Sequence, residues 1–288
     1  MARPCVVFRC DASLVIGSGH VIRCRGLAHA LQARGAEVVF VCRRQPGDLI
    51  ALLEEEFRVL VLPEIHPITS EPEKAGALSG RAMYAEWLGC TEEQDAMESL
   101  TALAHAQVQP PAWLVLDHYG LSAPWQQHMQ EGLPQADGSE PSLLVIDDLE
   151  DRAHQATVLM DANRLGPAAP DPYRDRVPEA CNTLLGPGFA LLDPLYPRLQ
   201  PLLPPRSQLA RVLVFFGGMD TANHAAVALE ALSHPRLLHL GVDVVVGAAA
   251  PHRADLESRV LQRPNTSLHV GLPCLAGLMA RADLALGA

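Results

Sequence analysis

The 288 residues contain no CxxC pair, no short internal repeat and no low-complexity tract. No stretch approaches the roughly 18 continuous apolar residues that a membrane span needs. Without CxxC pairs, neither a zinc site nor a redox dithiol is indicated, and no metal is expected. The seven cysteines (Cys5, Cys10, Cys24, Cys42, Cys90, Cys181 and Cys274) are odd in number and scattered. They read as reduced thiols, several of them small core hydrophobes, which suits a cytoplasmic address. The opening MARPCVVFRCD has too short an apolar run before Arg9 and Asp11 to be a signal peptide. Positive charge is scarce: 22 Lys and Arg face 33 Asp and Glu, a net charge of -11. That balance argues against nucleic acid or an anionic membrane as partner. Nucleotide-sized anions stay open, since backbone amides and a few arginines suffice to hold them.

What is present is ample for a core: 49% hydrophobic residues with an ordinary 19% charged. The length fits two domains or one large one. The most informative stretch comes first. Cys5-Val6-Val7-Phe8 reads as a buried strand, and a turn segment ends in Gly17-Ser18-Gly19. A helix follows with Val21, Cys24, Leu27 or Ala28, and Leu31 on one face and Arg23, Arg25 and Arg34 off it. Gly35 stops it, and residues 37–41 make a second strand. This is a βαβ unit, which calls for a right-handed crossover in a parallel sheet.

His20 sits where the glycine loop meets the first helical turn, at the carboxyl end of the first strand. Open α/β sheets bind ligands at that edge. The positive end of the helix favours an anion there and disfavours imidazolium, so the position suits a neutral, base-competent ring. The flanking glycines allow close approach of a substrate to the backbone.

Farther along, residues 48–56 read as a short helix, 57–62 as a strand, 63–80 as a long loop and 91–106 as a helix with a capped start. Strands at 113–116 and 143–146 are clear, and shorter ones fall at 159–163 and 183–186. Their carboxyl ends carry Asp117-His118-Tyr119-Gly120, Asp147-Asp148 and Asp161-Ala162-Asn163. Singly, each Asp is an ordinary turn former; together on one rim they read as a cleft wall. Residues 193–206, DPLYPRLQPLLPPR, have five prolines and no period, and mark a semi-rigid linker. The pattern then restarts: a strand at 211–216, the Gly217-Gly218 turn opening a helix at 222–233, and a strand at 242–246 followed by Gly247. A helix at 251–261, a strand at 268–270, a helix near 275–281 and a strand at 283–286 follow. The expected fold is α/β: two doubly wound Rossmann-type domains facing a cleft, at residues 1–192 and 207–288. A Rossmann half normally continues past such a strand, so the second domain reads as truncated.

Five segments, in this order and spacing, carry a resemblance: FRCDASLVIGSGHVIRCRGLAHALQARGAEVVFVCR, WLVLDHYGL, VIDDLEDRAHQATVLMDANRLG, LLGPGFALLDPLY and VLVFFGGMD. They resemble the UDP-sugar hydrolases of pseudaminic acid biosynthesis, which act on UDP-2,4-diacetamido-2,4,6-trideoxy-β-L-altropyranose and are similar to GT-B glycosyltransferases. The resemblance implies a GT-B-like fold, His20 as general base, the sugar in the amino-terminal domain and UDP in the carboxyl-terminal one. The family pattern carries a Gly-Gly-Ser-Thr-x-x-Glu segment after the last strand, which this sequence does not contain, and often a Ser where Met219 stands.

The chemistry fits one histidine. Water attacking an anomeric carbon needs a base, while a diphosphate leaves with little acid help, unlike the leaving group of ordinary glycosidases. Candidate sugar contacts are Asp11, Gly17, Ser18, Gly19, Arg23, Asp117, His118, Tyr119 and Asp147; candidate nucleotide contacts are Gly217, Gly218, Met219 and Gly247. Asp11, Asp117 and Asp147 are equivalent candidates for orienting His20. Arg23 reads either as an anion contact or as a solvated helix arginine, and Tyr119 either as a sugar contact or as a buried structural tyrosine. A glycosyltransferase and a non-catalytic nucleotide-sugar-binding protein are the competing readings. No cofactor is expected.

Overall fold

In a computed structural model, residues 3–65, 80–133, 138–164 and 171–287 are described; most of the expected long loop, 66–79, and Ala288 lie outside them. The chain divides into two compact units, Met1–Ile16 with His20–Leu192, and Gly17–Gly19 with Asp193–Ala288.

In the first unit the order is β1 (Cys5–Cys10), α1 (Gly19–Gln32), β2 (Glu37–Arg43), α2 (Ile50–Glu54), β3 (Arg58–Leu62), α3 (Arg81–Leu88) and α4 (Glu92–His105). Then come β4 (Trp113–Asp117), α5 (Ala123–Gly132), β5 (Ser142–Ile146), β6 (Val158–Asp161) and β7 (Asn182–Leu185). The seven strands form one sheet in the order β3-β2-β1-β4-β5-β6-β7, with every pairing parallel. β1 lies in the middle with all six of its residues buried, which is why Cys5–Phe8 reads as a continuous apolar run; Arg9, equally buried, is paired with carboxylates inside the unit. Separate apolar clusters cover the two faces: one around Val7, Leu114, Trp125 and Leu159, the other around Phe8, Val21, Cys24 and Phe40. Strand order reverses between β1 and β4, whose ends are in register at Cys10 and Asp117. Such a reversal opens a crevice beyond the strand ends, because the connecting helices leave to opposite faces. α3 and α5 carry no expectation from the sequence; α4 matches its expected start, Thr91 accepting the Gln94 amide at 3.1 Å.

The second unit holds α6 (Leu195–Leu199), β8 (Arg211–Phe215), α7 (His224–Leu232), β9 (Gly241–Val246), α8 (Arg253–Gln262), β10 (Thr266–Val270), α9 (Ala276–Arg281) and β11 (Leu284–Gly287). Its four-stranded parallel sheet runs β10-β9-β8-β11, reversing between β8 and β11. Where the sequence suggests a connector without period at 193–206, the chain forms α6 and a 3-10 turn over Gln200–Leu202. Pro197 is tolerated because it occupies the first turn, where amides have no intrahelical partner. Among the described residues, no helix is long and apolar enough to cross a membrane.

Candidate functional site

His20 lies in the first turn of α1, next to the end of β1, and Asp117 ends β4, so the two flank the reversal in strand order. The His20 Nδ1 is 2.6 Å from Asp117 Oδ1. Asp117 is fully buried, and burial alone would raise its carboxyl; the His20 ring and the Arg23 guanidinium instead hold it down at about 2. An ionised carboxylate only accepts, so Nδ1 carries a proton and donates it; in the neutral ring that arrangement puts the lone pair on Nε2. Of the three equivalent aspartates, Asp117 is thus the one in contact with the histidine. Its side chain is bound from three further directions: Arg23 Nε gives Oδ2 a 2.6 Å bond, Arg23 Nη2 gives Oδ1 a 2.7 Å bond, and the Cys24 thiol lies 3.6 Å from Oδ2.

Arg23 is no solvated helix arginine. Its remaining edge donates through Nη1 to Asp148 Oδ2 at 2.7 Å, so one guanidinium bridges two carboxylates and its own positive charge is held well above the usual range. Asp148 also accepts the Tyr119 hydroxyl, and its Oδ1 takes the Asn163 amide at 2.9 Å. The Tyr119 ring stands edge-on to the imidazole, centroids 4.5 Å apart at 86°. Behind it lies an aromatic group from α3: Trp87 stacks on Tyr119 at 5.8 Å and 24°, and Tyr84 meets Tyr119 edge-on at 5.2 Å. Burial and the Asp148 contact push the Tyr119 hydroxyl far up, so it stays a donor.

The other candidates of the amino-terminal half go elsewhere. Asp11 does not touch His20; it accepts Arg9 Nη1 at 2.6 Å and the Arg43 amide at 2.7 Å. His118 faces Asp11 Oδ2 from 3.4 Å, accepts the Gly120 amide on Nδ1, and is kept neutral by burial, its pKa lowered to about 4. Arg9 and Arg43 both donate to Asp95 of α4, which also accepts the Trp125 indole, making a closed ion cluster inside the unit. Asp147 is tied to Arg152 at 2.7 Å, to the Tyr173 hydroxyl at 2.9 Å and to the Leu149 and Glu150 amides. Gly17 has φ +82, a left-handed turn that favours glycine, whereas a Cβ at Gly19 meets open space. Ser18 lies between them, immediately before α1.

In the second unit Gly217-Gly218-Met219 follows β8 and Gly247 follows β9. Gly247 donates its amide to the Gly218 carbonyl at 2.7 Å, and a Cβ on Gly247 would lie 2.6 Å from that oxygen. The paired glycines do not open α7, as the sequence suggests. The helix starts at His224, and Asp220, at φ 37, turns back to accept the His224 and Ala225 amides at 2.8 Å each. Its own carboxylate therefore occupies two of the amides an anion would use. Among the described residues, no group of three or more His, Cys, Asp or Glu side chains could hold a metal ion.

Solved structures share this fold. UGT89C1 of Arabidopsis thaliana, complexed with UDP-L-rhamnose, matches 100% of the chain over 75% of its own, at 15% identity and a TM-score of 0.57. UGT71G1 of Medicago truncatula, complexed with UDP-glucose, matches at 12% identity, 99% and 76% coverage and a TM-score of 0.53. The glycosyltransferase SnogD of Streptomyces nogalater matches at 16% identity, 99% and 76% coverage and a TM-score of 0.51. The chain has the GT-B-like α/β fold, with two Rossmann-type parallel sheets. No protein-family model matches the sequence, and no curated protein matches it.

Proposed function

We propose that the protein is a UDP-sugar hydrolase in which His20 activates water for attack at the anomeric carbon. The observation that carries this is the His20–Asp117 pair at the strand-order reversal, with Nδ1 committed as donor and Nε2 left to accept. A base held in one tautomer by a buried, ionised carboxylate is suited to take a proton from water as the carbon–oxygen bond forms. The nearby carboxylates Asp117 and Asp148 are both neutralised through Arg23, so neither is a free acid of the glycosidase kind. A diphosphate needs no such acid. The Tyr84, Trp87 and Tyr119 rings offer an apolar wall to the C–H face of a sugar.

UDP-sugars bound to structures of the same fold support a nucleotide-sugar substrate, and the glycine-bearing ends of β8 and β9 are its proposed backbone contacts. The motif resemblance supports the finer reading, a UDP-linked 2,4-diacetamido-2,4,6-trideoxy sugar. His20→Ala should keep the fold and lower hydrolysis by about two to four orders of magnitude. An unchanged rate removes His20 from the mechanism. The glycosyltransferase structures of the same fold favour one competitor, transfer to an acceptor; release of free sugar with no acceptor present decides against it.

A further inference from the structure

We propose that Asp148 is the positioning residue of this site, holding the His20 ring from two sides at once. This rests on the reading of His20 as base. A single carboxylate oxygen, Asp148 Oδ2, accepts both Arg23 Nη1 at 2.7 Å and the Tyr119 hydroxyl. Two arms leave that oxygen and meet again at the imidazole. One runs through the Arg23 guanidinium to both oxygens of Asp117 and on to His20 Nδ1. The other runs through the Tyr119 ring, whose edge-on contact blocks rotation of the imidazole about its χ2 bond. The first arm sets the direction of Nδ1 and the second sets the ring plane, so together they fix where the Nε2 lone pair points. Asp148 is itself nearly buried, its side chain 7% exposed, and is steadied on Oδ1 by Asn163 at the end of β6. Among the described residues, the charged groups that act on it include Arg23 from α1 and the Asp161 carboxylate of β6; Tyr119 and Asn163 face it as neutral donors.

Every partner of Asp148 is a donor. In Asp148→Asn, an amide NH2 at the Oδ2 position points at the Arg23 N–H and the Tyr119 O–H, whereas at the Oδ1 position it is met only when the Asn163 amide turns round to accept; in either case Arg23 loses the negative charge it is paired with. With a neutral group in place of the carboxylate that anchors Arg23 on that side, the guanidinium is held more weakly, drifts on Asp117, and the His20 tautomer is no longer singly defined. Loss of alignment without loss of binding contacts lowers kcat rather than raising KM.

The test is nitrogen NMR of the His20 ring in the unliganded full chain above neutral pH, paired with steady-state hydrolysis. The wild type should show a single Nδ1–H tautomer; Asp148→Asn should show averaged tautomer shifts, and kcat should fall about ten- to a hundredfold with KM within about twofold. Tyr119→Phe, which cuts one arm and keeps the ring, should give a smaller change in both readouts and serves if the Asn variant does not fold. A purely structural role would lower the melting temperature and leave the tautomer signature alone; that result, or a wild-type signature and kcat in both variants, overturns the proposal. If the tautomer shifts appear but the wild-type protein hydrolyses no UDP-sugar, the hydrolase reading fails while the positioning role stands.

Discussion

Replacing Asp117 by Asn is the sharpest perturbation the site offers. The side chain is fully buried and accepts four contacts: one from His20, two from Arg23 and one from Cys24. Arg23 donates to both oxygens, so either orientation of the amide sets an NH2 against a guanidinium N–H. With the NH2 at the Oδ1 position, it also faces His20 Nδ1, which must then become the acceptor. That transfers the ring proton to Nε2 and removes the base. The stability cost follows from the carboxyl itself, which is held at about 2 against an ordinary 3.8. At about 1.4 kcal/mol for each pH unit, that difference contributes roughly 2–3 kcal/mol, near the lower end of the about 3–5 kcal/mol lost when a buried pair is broken. In a unit of this size the melting temperature should fall by roughly 5–10 °C. Hydrolysis should fall by about 10²–10⁴, the range for a disabled general base. Calorimetric melting and release of UDP are the assays. A variant with wild-type melting and wild-type turnover would refute the coupling of Asp117 to His20.

Other expectations follow from the same geometry. Asp117, Asp147 and Asp95 are all held below their ordinary range by buried cations and donors, so their contribution is complete above pH about 4 and lost as pH falls toward 2. Urea titrations across that window should show a steep loss, shallower in Asp117→Asn; a flat profile would contradict the pairing. Asp161 behaves in the opposite sense. The Tyr173 hydroxyl lies 2.9 Å from Asp147 and 3.2 Å from Asp161, one proton between two acceptors, and burial pushes the Asp161 carboxyl up. Ionising it therefore costs stability as pH rises past the ordinary carboxylate range, and Asp161→Asn should be at least as stable as wild type near pH 8 by urea titration; a large loss would show that the charge is required. In the second unit, Gly247→Ala would drive a Cβ to 2.6 Å from the Gly218 carbonyl, so the ends of β8 and β9 must separate. About 1–3 kcal/mol of stability should be lost and UDP binding weakened, read by denaturation and calorimetric titration. No change in either would mean that the close approach has no consequence.

The strands and glycine turns were legible because apolar β-branched runs bounded by Gly and Asp have few other uses, and β1, β4, β5 and β9 fall where those runs lie. The place of His20 was legible for the same reason. Its partner was not. Asp11, Asp117 and Asp147 all follow strands, and only the strand order, with β1 beside β4, decides which one meets His20. Asp148 reads as half of a turn-forming Asp-Asp pair, and its contacts come from residues as far as 125 positions away. The Arg9–Asp95 pair spans 86 positions and leaves no local signal either. Tyr84 and Trp87 were missed because the sequence leading up to α3 has no helical or strand period, although their i, i+3 spacing would place them together once the helix is known.

Hydrolysis of the UDP-sugar in oxygen-labelled water, with products separated and weighed by mass spectrometry, tests the central claim most directly. Wild-type protein should put the label on the released sugar and none on UDP, with no acceptor added, and His20→Ala should release almost none. Label on UDP would place the attack at phosphorus, and labelled sugar formed equally fast by the variant would leave the His20–Asp117 pair without a part in the reaction.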